Sequence, residues 1–398
     1  MSKTINIGKV SMTPKGRWAS GTSYERLDTV YHSGSLWISK VPHNSGHEPA
    51  EGSAYWALAI EGGTAQEDVL AFLPKNIYVA EGVTVEIYNR QICADAERYG
   101  FKWSCAEGKA YKNKFSIEGK SANHGDYPLT LELVNGAGKT VWSGTSTVKI
   151  LPNMINSATY ICPIGGTHTD GKAWLKQVES LSGYGITFVG SRTDDNGISH
   201  EGRTGWTTDH YLTESEVDGE SNPFYSNGFS WSGYYGMHGE PSGIMIFLGE
   251  EEILSGEGDE LAENLLYMMN TIKGEADNVG ISLFFVFPPA PGSQDGMAND
   301  TDWDFSGKSE KEILADYIKT VKKIYETFES RSGYGMPEFI PLLQCFDSEN
   351  NFETKEISVN PRSEEKKTVQ SKAYIPTGNG YFQVADVIFS ALCSAFAS

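Results

Sequence analysis

Ile161-Cys-Pro-Ile-Gly-Gly-Thr-His-Thr169 is the stretch on which the fold is decided. An apolar run ends in two glycines and a polar turn, as a buried strand does where it hands over to a loop. Further strands of the same kind follow at Ile186–Gly190, Gly243–Leu248, Ile281–Phe287 and Phe339–Cys345. Between them lie helical patterns near Lys172–Leu181, Gly258–Ile272, Lys308–Phe328 and Tyr381–Ala397. Leu261, Leu265, Met268, Met269 and Ile272 recur at helical spacing, as do Ile313, Tyr317, Val321 and Ile324, and both rows read as core faces. Strands alternating with helices predict a parallel sheet covered on both faces, an α/β three-layer domain of flavodoxin-like type over residues 155–398. A site on such a sheet lies at the carboxyl ends of its strands.

Two other segments fall at those ends. They are Phe247-Leu-Gly-Glu-Glu-Glu252, the third block, and Ala373-Tyr-Ile-Pro-Thr-Gly-Asn-Gly-Tyr-Phe-Gln-Val-Ala-Asp386, the last, and a second block, His200-Glu-Gly-Arg-Thr-Gly-Trp-Thr-Thr208, lies between the first and third. In order and spacing these blocks resemble the SGNH (GDSL-type) hydrolases. The framework residues Gly165, Thr169, Gly205, Leu248-Gly249, Pro376, Gly380-Tyr381 and Ala385-Asp386 match that family. The resemblance implies an esterase site, and the reactive positions depart from it. Thr167 stands where the family has its nucleophilic serine, and Gly166 where an aspartate precedes it. Gly205 keeps an oxyanion donor, whereas Glu251 replaces the asparagine donor. Ile375 replaces the histidine base and Lys372 the aspartate that orients it.

Acyl transfer needs a nucleophile, a base, a group to orient the base and donors for the oxyanion. Isoleucine cannot take a proton, and a carboxylate at the oxyanion position repels the charge it should stabilise. Losing base and nucleophile together removes nearly all of the rate such a triad supplies. No catalytic residue is therefore assigned, and the domain reads as a pseudoenzyme. Two relocated sets remain as alternatives. His168, His210 or His238 could serve Thr167, with Asp170 nearby. The run Glu250-Glu251-Glu252, with Glu201, could pair carboxylates as a glycosidase or a divalent metal requires. A run of charges at a strand end is more simply a solvated loop. Asp302 and Asp304 lack a calcium-loop pattern and read as a turn, so neither metal nor cofactor is expected.

Residues 1–62 alternate with period two and are rich in Gly, Ser and aromatics, which predicts a small β module. Gly16-Arg-Trp18, Tyr24, Leu27-Asp28-Thr-Val30-Tyr31, Gly34, Trp37, Pro49 and Trp56 resemble the chitin-binding type of carbohydrate-binding module that recurs in phage tail and head fibres. Trp18, Tyr24, Trp37 and Trp56 are its candidate sugar-stacking residues. The same four are what a module this small needs to fill its core. Residues 63–72 read as a linker. Residues 73–151 return to short strands, with Asn135-Gly136 as a hairpin turn, and predict an Ig-like β-sandwich serving as a spacer. Its opening, Leu73-Pro-Lys-Asn-Ile-Tyr-Val79, resembles the β-domain found before some SGNH domains in Bacteroidetes-type sequences.

The 398 residues carry 39% hydrophobic side chains and a formal charge of −20. That is enough apolar material for packed cores, and the charge disfavours nucleic acid and anionic membranes as partners. No apolar run approaches the roughly 18 residues that span a bilayer, and the first residues show no secretory pattern. The five cysteines are scattered; Cys93 and Cys105 would pair only on adjacent strands, and reduced core thiols are the simpler expectation. Taken together, the resemblances imply a multidomain chain of two small all-β domains and an α/β domain, a non-catalytic bacteriophage fibre protein in the virion. It would be made in the host cytoplasm as a homo-oligomer, with a trimer expected, and its partners would be other virion proteins and a host surface glycan. An active carbohydrate esterase and a purely structural capsid decoration protein are the alternatives.

Overall fold

The computed structural model describes residues 11–60, 69–155, 158–239, 241–275, 280–305, 307–331 and 335–397. Most of the expected linker and the first ten residues lie outside these. Compactness divides the chain into Met1–Val69 and Leu70–Ser398.

The first unit is a four-stranded sheet of β1 (Thr13–Arg17), β2 (Asp28–His32), β3 (Ser35–Ser39) and β4 (Trp56–Ile60), in that order. The β2–β3 turn has positive φ at both Ser33 and Gly34 (49° and 80°), the mirror-image turn whose twist suits a hairpin. Its core is Tyr24, Val30, Trp37 and Trp56, with Trp18 packed against them. Each buried indole N–H of Trp37 and Trp56 donates to a backbone carbonyl, of His32 at 3.2 Å and of His47 at 2.7 Å.

The second unit begins with two facing sheets. One contains β5 (Asn76–Ala80), β10 (Thr140–Leu151), β9 (Gly125–Val134) and β7 (Gly100–Ser104), in that order. The other pairs β6 (Thr84–Tyr88) with β8 (Lys114–Glu118) and the short strand Lys109–Ala110. Leu129, Leu131 and Leu133 alternate inward, and Trp103 stacks on Phe115 across the gap at 5.3 Å. At the β9–β10 turn the Asn135 side chain accepts the backbone N–H groups of Ala137 (3.0 Å) and Lys139 (3.1 Å).

The rest of the unit is a doubly wound sheet. Its strands are β11 (Thr159–Gly165), β12 (Ile186–Phe188), β13 (Ser199–Gly202), β14 (Gly243–Phe247), β15 (Ser282–Val286) and β16 (Glu338–Ile340). The parallel order is β12-β11-β14-β15-β16, with β13 joining the far end of β11 beyond β12. This is the 2-1-3-4-5 order of flavodoxin-like sheets, whose switch point lies between the first and third strands. Helices α1 (Ala173–Leu181) and α5 (Gly378–Phe396) pack together on one face. On the other lie α3 (Gly258–Glu275) and α4 (Glu310–Arg331), preceded by the short α2 (Glu250–Ser255). The expected strand Phe339–Cys345 is cut short. Pro341 cannot donate to the ladder, and Leu342–Cys345 forms a helical turn instead. Among the described residues no helix is long and apolar enough to cross a membrane. All five cysteines are free, so Cys93 and Cys105 do not pair.

Helix α5 explains why the sandwich belongs to the same unit. Every residue from Val387 to Cys393 is buried, which an amphipathic covering helix could not achieve. Strand β5, an edge of its sheet, lies on the helix, and the outward Ala80 N–H donates to Ser390 Oγ at 3.0 Å. Tyr78 reaches Glu338, and Gln91 donates to Ser348 Oγ at 2.6 Å. Such an edge needs covering, and the helix covers it. Replacing Ser390 with valine should strand the Ala80 N–H and cost about 1–3 kcal/mol, read as a lowered denaturant midpoint with unchanged slope.

Candidate functional site

The three blocks converge at the carboxyl ends of β11 and β14. Gly165 ends β11 because nothing larger fits; a Cβ there would sit 2.1 Å from Thr169 Oγ1 and 2.7 Å from the Phe247 carbonyl. The chain then turns so that Thr167, only 1% exposed, faces the second and third blocks. Its hydroxyl donates to Glu251 Oε1 at 3.1 Å and accepts the Gly205 N–H at 3.0 Å. Gly205 holds φ +77°, a conformation that favours glycine. Tyr374, two residues after Lys372, donates its own hydroxyl to the same Glu251 oxygen at 2.9 Å. Thr167, Gly205 and Glu251 thus lie in hydrogen-bond contact.

Lys372 and Ile375 do not join them. The Lys372 ammonium is bound by Asp300 at 3.1 Å and by Asp302, and Ile375 packs against the apolar core. The Asp300–Asp302 turn therefore anchors a lysine. Trp303 stacks on Tyr374 at 3.7 Å beside it.

Among the described residues no histidine hydrogen-bonds to Thr167. His168 is 2% exposed, with Nδ1 3.4 Å from the Tyr381 hydroxyl and its ring stacked on Tyr374. Burial, with Lys172 nearby, pushes its pKa down to about 3, so it stays neutral. The rings of Phe247 and Tyr374 stacked against it account for its burial. His210 accepts the Thr207 N–H at 3.0 Å within the capping turn of its own short helix. His238 lies against Tyr234. Asp170 binds the Thr204 N–H and hydroxyl at 3.2 and 2.9 Å.

The run Glu250–Glu252 is not a solvated loop. It opens α2, with Glu250 and Glu252 buried and Glu251 half-buried between them. Glu250 Oε1 accepts the His168 N–H at 3.5 Å and occupies the space a side chain at Gly166 would need, 2.7 Å from an ideal Cβ. Glu252 Oε1 accepts the Thr208 N–H at 2.6 Å. Burial raises the pKa of Glu252 and raises that of Glu250 strongly. Glu201 is not part of this group. It pairs with Arg203 at 3.0 Å, both fully buried, and also accepts Ser191 Oγ (2.9 Å) and Tyr234 (2.8 Å). The Arg203 guanidinium lies 4.9 Å over Trp206. Among the described residues no three His, Cys, Asp or Glu side chains are arranged to hold a metal ion.

In the first unit the four named aromatics divide. Tyr24, Trp37 and Trp56 are 1%, 7% and 2% exposed and offer no open ring face for stacking on a sugar. A module of this size has few other side chains with which to exclude water, so they form its centre. Trp18 is half-buried beside an open groove shared with Arg17, Tyr31, His32 and Gly34. Tyr31, 58% exposed, was not among the sequence candidates. Strand alternation could have found it, because its neighbour Val30 points inward.

No protein-family model matches the chain, and no curated protein matches it. Solved structures resemble it at low identity. A Bacteroides fragilis protein assigned as an acylhydrolase is 15% identical, with 62% of this chain and 92% of that one covered and a TM-score of 0.36. A carbohydrate acetylesterase from Xanthomonas citri is 8% identical, with 70% of each chain covered and a TM-score of 0.29. A Bacillus subtilis protein is 12% identical over 68% and 66%, with a TM-score of 0.25. Likeness at this level carries no argument about activity.

Proposed function

We propose that the chain is a non-catalytic bacteriophage virion appendage of head-fibre or tail-fibre type, with an SGNH-hydrolase-like α/β domain as a rigid head. The block resemblance supports the family, and the doubly wound sheet agrees with it. One observation carries the loss of catalysis. The Thr167 hydroxyl is held between the Gly205 N–H and Glu251, so the nucleophile position and the oxyanion donor satisfy each other. Among the described residues no histidine hydrogen-bonds to it, and the position matching the base is an apolar isoleucine.

Purified protein should hydrolyse p-nitrophenyl acetate and acetylated polysaccharide no faster than the Thr167→Ala variant. Turnover abolished by that change would sink the reading in favour of a carbohydrate esterase, with Glu251 as the base. A glycan-binding role in the first unit is favoured by the exposed Tyr31 beside Trp18. It predicts that Tyr31→Ala and Trp18→Ala lower retention on host polysaccharide at least tenfold, while Trp37→Ala unfolds the module. Recovery with virions at fixed stoichiometry, with neither turnover nor glycan retention, would leave a structural decoration protein. The oligomer is proposed to be a trimer.

A further inference from the structure

The cleft loops are tied to α2 by two buried carboxyls that, among the described residues, form no ion pair. Glu250 holds the first-block loop through the His168 N–H, and Glu252 holds the second-block loop through the Thr208 N–H. In each carboxyl the second oxygen, Oε2, is buried and has no hydrogen-bond partner among the described residues, and the same holds for the Tyr317 hydroxyl contributed by α4. The titratable groups acting on them are Glu251 on the same helix, neutral His168 from the first-block loop, Tyr317 from α4, and Tyr374 and Tyr381 from the last block. Among the described residues no lysine or arginine forms an ion pair with Glu250 or Glu252, while Lys172 acts on His168. A buried carboxylate in such surroundings costs several kcal/mol, whereas a protonated carboxyl can accept the same N–H and stay uncharged.

We propose that Glu250 and Glu252 form a proton-operated latch, closing the first- and second-block loops onto α2 while protonated and releasing them on ionisation. The direction follows from linkage. Burial raises both groups above their ordinary value near 4.5. Their contribution is therefore fully present below that value and lost as pH rises through the folded-state values. The cleft opens on the alkaline side, whether or not it retains any chemistry.

The Glu250→Gln/Glu252→Gln variant tests this, since glutamine keeps an acceptor and cannot ionise. As pH rises above the ordinary value near 4.5, the wild-type thermal midpoint should fall and the tryptophan emission, to which Trp206 of the second-block loop contributes, should shift, while the variant changes less in both. Superimposable profiles would overturn the latch. Should the variant fail to fold at pH 6, wild-type amide exchange, corrected for intrinsic rate, decides. About tenfold or greater loss of protection at pH 9, confined to residues 166–170 and 203–208 and absent from β9 and β10, supports the latch; uniform loss or none overturns it.

Discussion

Arg203→Met should cost about 3–5 kcal/mol, enough to threaten the fold of the α/β domain. The guanidinium donates to both the Glu201 carbonyl (3.1 Å) and its carboxylate (3.0 Å), and it lies over the Trp206 ring. Methionine keeps most of the volume and removes the charge. Glu201, 0% exposed, would then be a carboxylate with only Ser191 and Tyr234 as donors. The penalty belongs to the orphaned charge more than to the pair. The Glu201→Gln/Arg203→Met double variant should therefore recover at least half the loss in a denaturant titration. A double variant as unstable as the single one would show that Arg203 acts through its packing on Trp206 instead.

Gly166→Asp, which installs the aspartate that the resembled hydrolases carry at this place, should destabilise by about 3 kcal/mol or more. Its Cβ would meet Glu250 Oε1 at 2.7 Å and the Trp206 carbonyl at 3.0 Å, and its carboxylate would face a buried glutamate. Gly166→Ala separates the terms, carrying the steric part alone. Glu250→Ala in the Gly166→Asp background should restore a large part of the midpoint. If Gly166→Asp is as stable as the parent, Glu250 can swing away and does not fill the site. A side chain at position 166 and the Glu250 carboxyl therefore compete for one space.

The sequence made the sheet legible because a parallel sheet buried on both faces needs unbroken apolar strands, and these stood out at Thr159–Ile164 and Gly243–Leu248. The resemblance to the hydrolase blocks, and no spacing rule of its own, is what grouped Thr167, Gly205 and Glu251 in the sequence. Other features were hidden. Three consecutive glutamates look solvated by composition, and only the backbone N–H groups of His168 and Thr208, invisible in a sequence, account for two of them being buried. His168 carried the same ambiguity, resolved by the tyrosines around it. The spacer reading of the sandwich overlooked a signal that was present. Six of the seven residues from Val387 to Cys393 are apolar, the exception being Ser390, so the helix is apolar on nearly every side, which a helix with only one neighbour would not need.

That helix also sets a timetable. Ala80 and Ser390 are 310 residues apart, yet one supplies the hydrogen-bond partner of the other. At roughly 5–20 residues per second on a ribosome, β5 is made about 15–60 s before the surface that covers it. During that interval an apolar sheet edge stays open to any passing strand. The emerging chain therefore faces its greatest aggregation hazard midway through synthesis, and holdase binding to nascent chains should peak there and fall once residue 390 has cleared the exit tunnel.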